Sequence, residues 1–155
     1  MRYLYELLKA RNFTIASCES LTGGLFAAEL TKVPHVSNVL KGGIVSYWNE
    51  IKINVVGVKK ETVDNYGVVS SQTAYEMAKN VQEKFKVNVA VSFTGNAGPA
   101  VLENKPAGLI YTCIIVNDRV YPFEDLIVDE RNAVRKKIVK LTTKRLKEIL
   151  RDLNK

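Results

Sequence analysis

Apolar and polar positions follow two different periods along this chain, and the switches between them mark out its elements. Helical spacing comes first, with Tyr3, Leu4, Leu7 and Leu8 on one side of a helix predicted over residues 3–11 and Asn12 as its stop. A short β-prone run, Phe13 to Ser17, reads as the first strand. Beyond the turn Cys18-Glu19-Ser20-Leu21-Thr22-Gly23-Gly24, helical spacing returns through Leu25-Phe26-Ala27-Ala28-Glu29-Leu30 and persists to Lys32, ahead of Pro34. Gly42 to Tyr47 reads as strand two. Ile51 to Val56 is a short helix closed by Gly57, and Lys59 to Tyr66 another stopped by Gly67. Ser70 is the expected N-cap of a helix from Gln72 to Phe85, whose stripe is Ala74, Met77, Ala78, Val81 and Phe85. Val87 to Phe93 is apolar almost throughout, the mark of a strand buried on both faces. Ala107 to Val116 and Arg119 to Ile127 flank Asn117-Asp118, a hairpin signal, and a last helix begins at Glu130 or Asn132. Val134, Ile138, Leu141, Ile149 and Leu153 are its inward positions.

Alternating strands and helices that end in a hairpin predict a three-layer α/β/α sandwich. Its sheet would be mixed and mostly parallel, of about five strands, with one antiparallel member. Strands one, two and three each run into a turn of small and polar residues. In such a sheet the carboxyl ends of parallel strands share one edge, which is where ligands bind. Three such turns converging in one crevice point to an active site or a nucleotide site.

At 155 residues the chain is expected to form a single domain. No apolar run approaches the ~20 residues of a membrane span, and Met1 to Glu6 lacks a signal pattern. Cys18 and Cys113 sit in strand-like context and read as small buried hydrophobes of a reducing compartment. A soluble, cytoplasmic protein is expected. The net charge of +7 is concentrated, because residues 130–155 hold ten Lys or Arg and three Asp or Glu, while the rest is neutral. The basic run Lys136, Lys137, Lys140, Lys144, Arg145, Lys147 and Arg151 raises nucleic-acid binding as a possibility. No aromatic residue lies between 124 and 155 to stack on a base, so a solvated helix face fits the run better.

The crevice offers little standard catalytic equipment. The one histidine, His35, lies in a connection; no Cys/His set has zinc spacing; neither Gly-rich turn has the Lys-Ser/Thr ending of a P-loop. No metal or organic cofactor is expected. What remains is hydroxyls and a lysine. Ser20 follows strand one in a turn that is either an anion or oxyanion cradle or simply a helix start capped by Ser20 or Thr22. Lys52 is a base only if burial keeps its amine neutral, and is otherwise a solvated side chain. Thr94 and Gly95 either face a ligand or merely end a strand.

Six ordered blocks carry a resemblance over nearly the whole chain. They are Glu19-Ser20-Leu21-Thr22-Gly23-Gly24, Gly42 to Lys52, Gly57-Val58, Gly67-Val68-Val69-Ser70, Thr94-Gly95-Asn96-Ala97-Gly98-Pro99 and Lys105-Pro106-Ala107-Gly108. Together they resemble the CinA C-terminal domain family, whose stand-alone members include nicotinamide mononucleotide (NMN) deamidase. The resemblance implies a single domain over 1–155 without the amino-terminal domain of longer relatives. It implies hydrolysis of the carboxamide of NMN to nicotinate mononucleotide and ammonia, without cofactor, in pyridine-nucleotide recycling. It makes Ser20 the nucleophile and Lys52 its base, with Tyr47 and Thr94 in support. Substrate contacts would come from Thr22, Gly23, Gly24, Asn49, Gly95, Asn96, Ala97 and Gly98, with Arg131 or Arg135 on the phosphate. A homo-oligomer, dimer or larger, is also implied, with Trp48 a candidate for its interface. Leu21, Trp48, Asn96, the loop Ala100-Val101-Leu102-Glu103-Asn104 and Asp129-Glu130 depart from the family's usual residues. The nucleophile and lysine positions are kept, so the chemistry carries over more firmly than the substrate. A non-catalytic nucleotide-binding or regulatory module, in line with the family's competence and damage label, is the alternative.

Overall fold

The computed structural model describes residues 1–153. Five strands, β1 (Ile15–Glu19), β2 (Leu40–Val45), β3 (Val89–Gly95), β4 (Leu109–Val116) and β5 (Arg119–Leu126), form one sheet in the order β2-β1-β3-β4-β5. β1 pairs parallel with β2 and β3, whereas β3–β4 and β4–β5 are antiparallel. Four strands therefore share a direction and β4 alone opposes them, as the hairpin around Asn117-Asp118 requires. Asn117 takes the positive φ of 52° that closes that turn.

Period-two alternation sends each strand's side chains into two cores. Ile15, Val89, Val91, Phe93, Ile110 and Ile114 face helices α1 (Arg2–Ala10), α2 (Leu25–Thr31) and α6 (Arg131–Asp152). Ala16, Cys18, Ala90, Cys113 and Ile115 face α5 (Ser71–Phe85), whose stripe of Ala74, Met77, Ala78 and Val81 is buried as its spacing predicts. The three expected layers are present. Ser70 caps α5, its side chain accepting from Thr73 N–H at 3.2 Å, and both cysteines are buried and free.

Four elements differ from the sequence reading. β2 lies two residues earlier than the expected 42–47, and β3 lies two residues later than the expected 87–93, so that Thr94 and Gly95 end the strand rather than start the turn. β1 begins at Ile15 and runs on to Glu19, because Ser17, Cys18 and Glu19 are all buried between neighbouring strands. The helix expected over 51–56 is one α turn, α3 (Asn49–Ile51), widening into a π-helical turn at Lys52–Val56. Wide turns of this kind recur at functional sites. Another short helix, α4 (Lys60–Tyr66), leads to α5. Among the described residues no helix is long and apolar enough to cross a membrane.

Candidate active site

Parallel pairing of β2, β1 and β3 sets their carboxyl ends side by side. Glu19 at the end of β1 is in register with Val45 and Phe93. Two backbone bonds continue the alignment past the strands, Ser46 N to Glu19 O at 2.9 Å and Ser20 N to Phe93 O at 3.0 Å. The turns after the three strands thus meet, as their composition predicts. A cavity of about 220 Å³ opens there, lined by Ser20, Tyr47, Gly95, Ala97 and Arg131 among others. A larger groove of about 750 Å³ lies along α6 between Leu25, Val139 and lysines such as Lys140, and holds no paired nucleophile and base.

The centre of the crevice is a serine and a lysine. Lys52 is 1% exposed and its Nζ lies 2.9 Å from Ser20 Oγ, 2.7 Å from Ser46 O and 3.3 Å from Tyr47 O. Burial lowers its pKa from 10.5 to about 8, only partly offset by its electrostatic neighbours, the carboxylate of Glu103 among them. As a neutral amine, Lys52 has two N–H groups and one lone pair. With the two carbonyls taking the N–H groups, the lone pair is left for the hydroxyl proton of Ser20. Cys18, its thiol pushed up to about 11 by burial, lies 3.5 Å from Ser46 Oγ and stays a thiol.

The turn that carries Ser20 is held from both sides. Gly23 and Gly24 take φ of 57° and 93°, and Gly24, rather than Ser20 or Thr22, is the N-cap residue of α2. The capping oxygens belong to Glu19, buried one residue before Ser20, whose carboxylate accepts from Phe26 N and Ala27 N at 3.0 Å each. It also accepts from Ser17 Oγ at 3.1 Å. The first amides of α2 are therefore filled by the chain itself. From the other side Arg135 donates to Leu21 O through Nε and to Thr22 O through Nη2, each at 2.9 Å. Arg135 grips the turn, with Nη1 also donating to Asn132 Oδ1 at 3.2 Å.

The other expected residues divide into those that face the cavity and those that build it. Arg131 is exposed at its rim and donates to Tyr47 Oη at 2.6 Å and to Gly98 O at 2.9 Å. Gly95 and Ala97 line it. Thr22 is fully buried with its hydroxyl unpartnered, and Gly23 N–H is used on Ser20 O. Thr94 is buried and donates to Val68 O at 2.7 Å. Asn96 contributes to the cavity wall, but its side chain is spent on the backbone of Leu102 and Lys105. Asn49 is exposed at the start of α3 and its side chain makes no hydrogen bond among the described residues. His35 lies before β2, at the end of that strand remote from the crevice. Among the described residues no three His, Cys, Asp or Glu side chains gather as a metal site.

A profile of the CinA C-terminal domain matches residues 1–150. The chain belongs to the CinA C-terminal domain family. Protein MG115 of Mycoplasma genitalium is 42% identical over 119 residues, covering 77% of this chain and 76% of that protein. The MG115 homolog of Mycoplasma pneumoniae is 38% identical over 99% of this chain and 98% of its own length. A putative competence-damage inducible protein of Clostridium acetobutylicum is 42% identical over 88% of this chain, which spans only 33% of that longer protein. Among solved structures, a CinA superfamily protein from Klebsiella pneumoniae superposes with a TM-score of 0.93 at 26% identity, covering 96% of this chain and 93% of its own.

In this CinA domain, sequence reasoning missed three residues of the site. Glu19 was visible only as a polar residue of the turn after the first strand, seven positions ahead of the amide of Phe26 that it caps. Ser46 supplies the carbonyl nearest Lys52, and main-chain oxygens leave no residue-type signal. Glu103, in the loop that departs from the family, accepts from Val68 N and Val69 N at 2.8 Å each.

Proposed function

We propose that this CinA-family chain is an amidohydrolase that converts NMN to nicotinate mononucleotide and ammonia by a Ser20–Lys52 mechanism. The observation that carries the reading is the buried Lys52 Nζ at 2.9 Å from Ser20 Oγ, with its two nearest carbonyls placed to take the N–H groups of a neutral amine. Lys52 takes the proton of Ser20 as Oγ attacks the carboxamide carbon. The tetrahedral oxyanion faces backbone N–H groups of the turns; those of Leu21 and Ala97, both lining the cavity, make no other hydrogen bond among the described residues. Lys52, now an ammonium, gives its proton to the leaving nitrogen as the C–N bond breaks and ammonia departs. Water, deprotonated by Lys52, then cleaves the acyl-serine and releases the acid. Arg131 meets the substrate's anionic group and Tyr47 orients Arg131. Thr94 acts through the loop it holds. Pyridine-nucleotide recycling, a cytoplasmic setting and a homo-oligomer accompany this reading.

Ammonia release from NMN tests it. Ser20→Ala and Lys52→Ala, both folded by circular dichroism, should each lose at least about a thousandfold in kcat. Tight NMN binding by the native protein without ammonia release would instead make this a nucleotide-binding module.

A further inference from the structure

The loop from Gly98 to Lys105 contributes one wall of the cavity, and it is fastened more heavily than a surface loop needs. Asn96 accepts from Leu102 N at 3.0 Å and donates to Leu102 O and Lys105 O at 3.2 and 3.1 Å. Glu103 seats both carboxylate oxygens on consecutive amides, Val68 and Val69. Lys105 Nζ donates to Tyr66 O at 3.2 Å and Val69 O at 2.6 Å. The seat for Glu103 has no slack, because a Cβ on Gly67 would stand 1.9 Å from its carboxylate. Between these fastenings Val101 and Leu102 turn apolar side chains outward, 44% and 53% exposed, while both line the cavity that contains Ser20.

Rigid, exposed aliphatic surface beside a nucleophile is a face for something flat and apolar. Leu21 and Tyr47 line the same cavity, and the lone cation lining it among the described residues is Arg131, which donates to Tyr47 Oη. A cavity lined by exposed aliphatic side chains, one aromatic ring and one cation suits a planar aromatic acyl group whose substrate carries an anionic group. Open-chain amides would leave that apolar surface wet.

We infer that Val101 and Leu102 are the specificity wall of the site and that Glu103 is the latch holding them over Ser20, so that the site selects aromatic over open-chain carboxamides. This rests on the reading of Ser20 as the reacting group, and the test separates the two. In one arm, NMN binding is measured by calorimetry in a Ser20→Ala background, where no turnover intervenes. Leu102→Ser and Glu103→Ala should each weaken NMN about tenfold, the effect of losing one apolar contact or its support, and Leu102→Met should restore it. In the other arm, kcat/KM is compared for p-nitrophenyl nicotinate and p-nitrophenyl butyrate. Ser20 Oγ takes the acyl group from either ester, nitrophenolate leaves with the bonding electrons, and water later frees the acid. The native protein should favour the aromatic ester by about tenfold or more, and both variants should bring the ratio toward one. Unchanged NMN affinity in Leu102→Ser, or an unchanged ester ratio, overturns the wall. Ester turnover that survives Ser20→Ala overturns the nucleophile instead, and the binding arm still judges the wall.

Discussion

The carboxyl ends of β1 and β3 look alike in sequence, yet they hold their hydroxyls in opposite states. Ser20 follows β1 directly and Thr94-Gly95 closes β3, so each end carries a hydroxyl residue ahead of glycine, and the strands are neighbours. Ser20 Oγ lies beside an amine that can take its proton. Thr94 Oγ1 is committed to the carbonyl of Val68, which cannot. A hydroxyl becomes a nucleophile through its partner, not through its own residue type or its place on the sheet. The first turn is poised for chemistry, and the second is scaffolding for the loop opposite.

Removing the partner should produce the largest effect. Lys52→Met should abolish turnover, whereas the native rate should climb with pH through about 8 as the ammonium becomes an amine. The same substitution alters stability in a defined window. Between pH 8 and 10.5 the unfolded chain binds more protons at this lysine than the folded one does, so native stability rises with pH there. That rise, up to about 3 kcal/mol, should be missing from denaturant titrations of Lys52→Met.

A smaller effect is expected from loosening the Ser20 turn. Arg135→Lys keeps the charge but not the two-pronged grip on Leu21 O and Thr22 O, and kcat should fall about ten- to a hundredfold. The loss should be equal for NMN and for a phosphate-free aryl ester. A loss confined to NMN would return Arg135 to the phosphate.

The smallest belongs to the second turn. Thr94→Val should leave kcat within about threefold of native while costing ~1–2 kcal/mol for the unsatisfied Val68 carbonyl, read as a Tm lower by a few degrees. A thousandfold loss of kcat would erase the contrast between the turns.

Much of this was legible in the sequence because local pattern and global fold agree. The α5 stripe, the Ser70 cap and the Asn117-Asp118 hairpin all lie where spacing and turn chemistry put them. So does the crevice, because parallel strands must end together. The burial of Lys52 was not legible, since one α turn passing into a π turn keeps no period that assigns it a face. Nor were the roles of Thr94, Asn96 and Arg135. Each is spent on main-chain oxygens or amides of another segment, and sequence does not show which backbone a polar side chain will reach. The end of β1 was misplaced for a related reason, because Cys18 and Glu19 were read as the start of the turn but are packed between strands, Glu19 as a buried carboxylate.

β1 lies between β2 and β3 in the sheet although β3 comes some seventy residues later, Thr14 N reaching Asn88 across a separation of 74. Ser20 and Lys52, themselves only 32 residues apart, are therefore aligned by a strand that neither of them belongs to. A chain still emerging from the ribosome with its first eighty residues exposed carries both members of the pair but lacks the strand that registers β1. On the proposed mechanism such a chain lacks a competent site until β3 docks, so the appearance of a reactive serine in refolding should mark the pairing of β1 with β3, a contact of long sequence separation and therefore of the slow-forming kind.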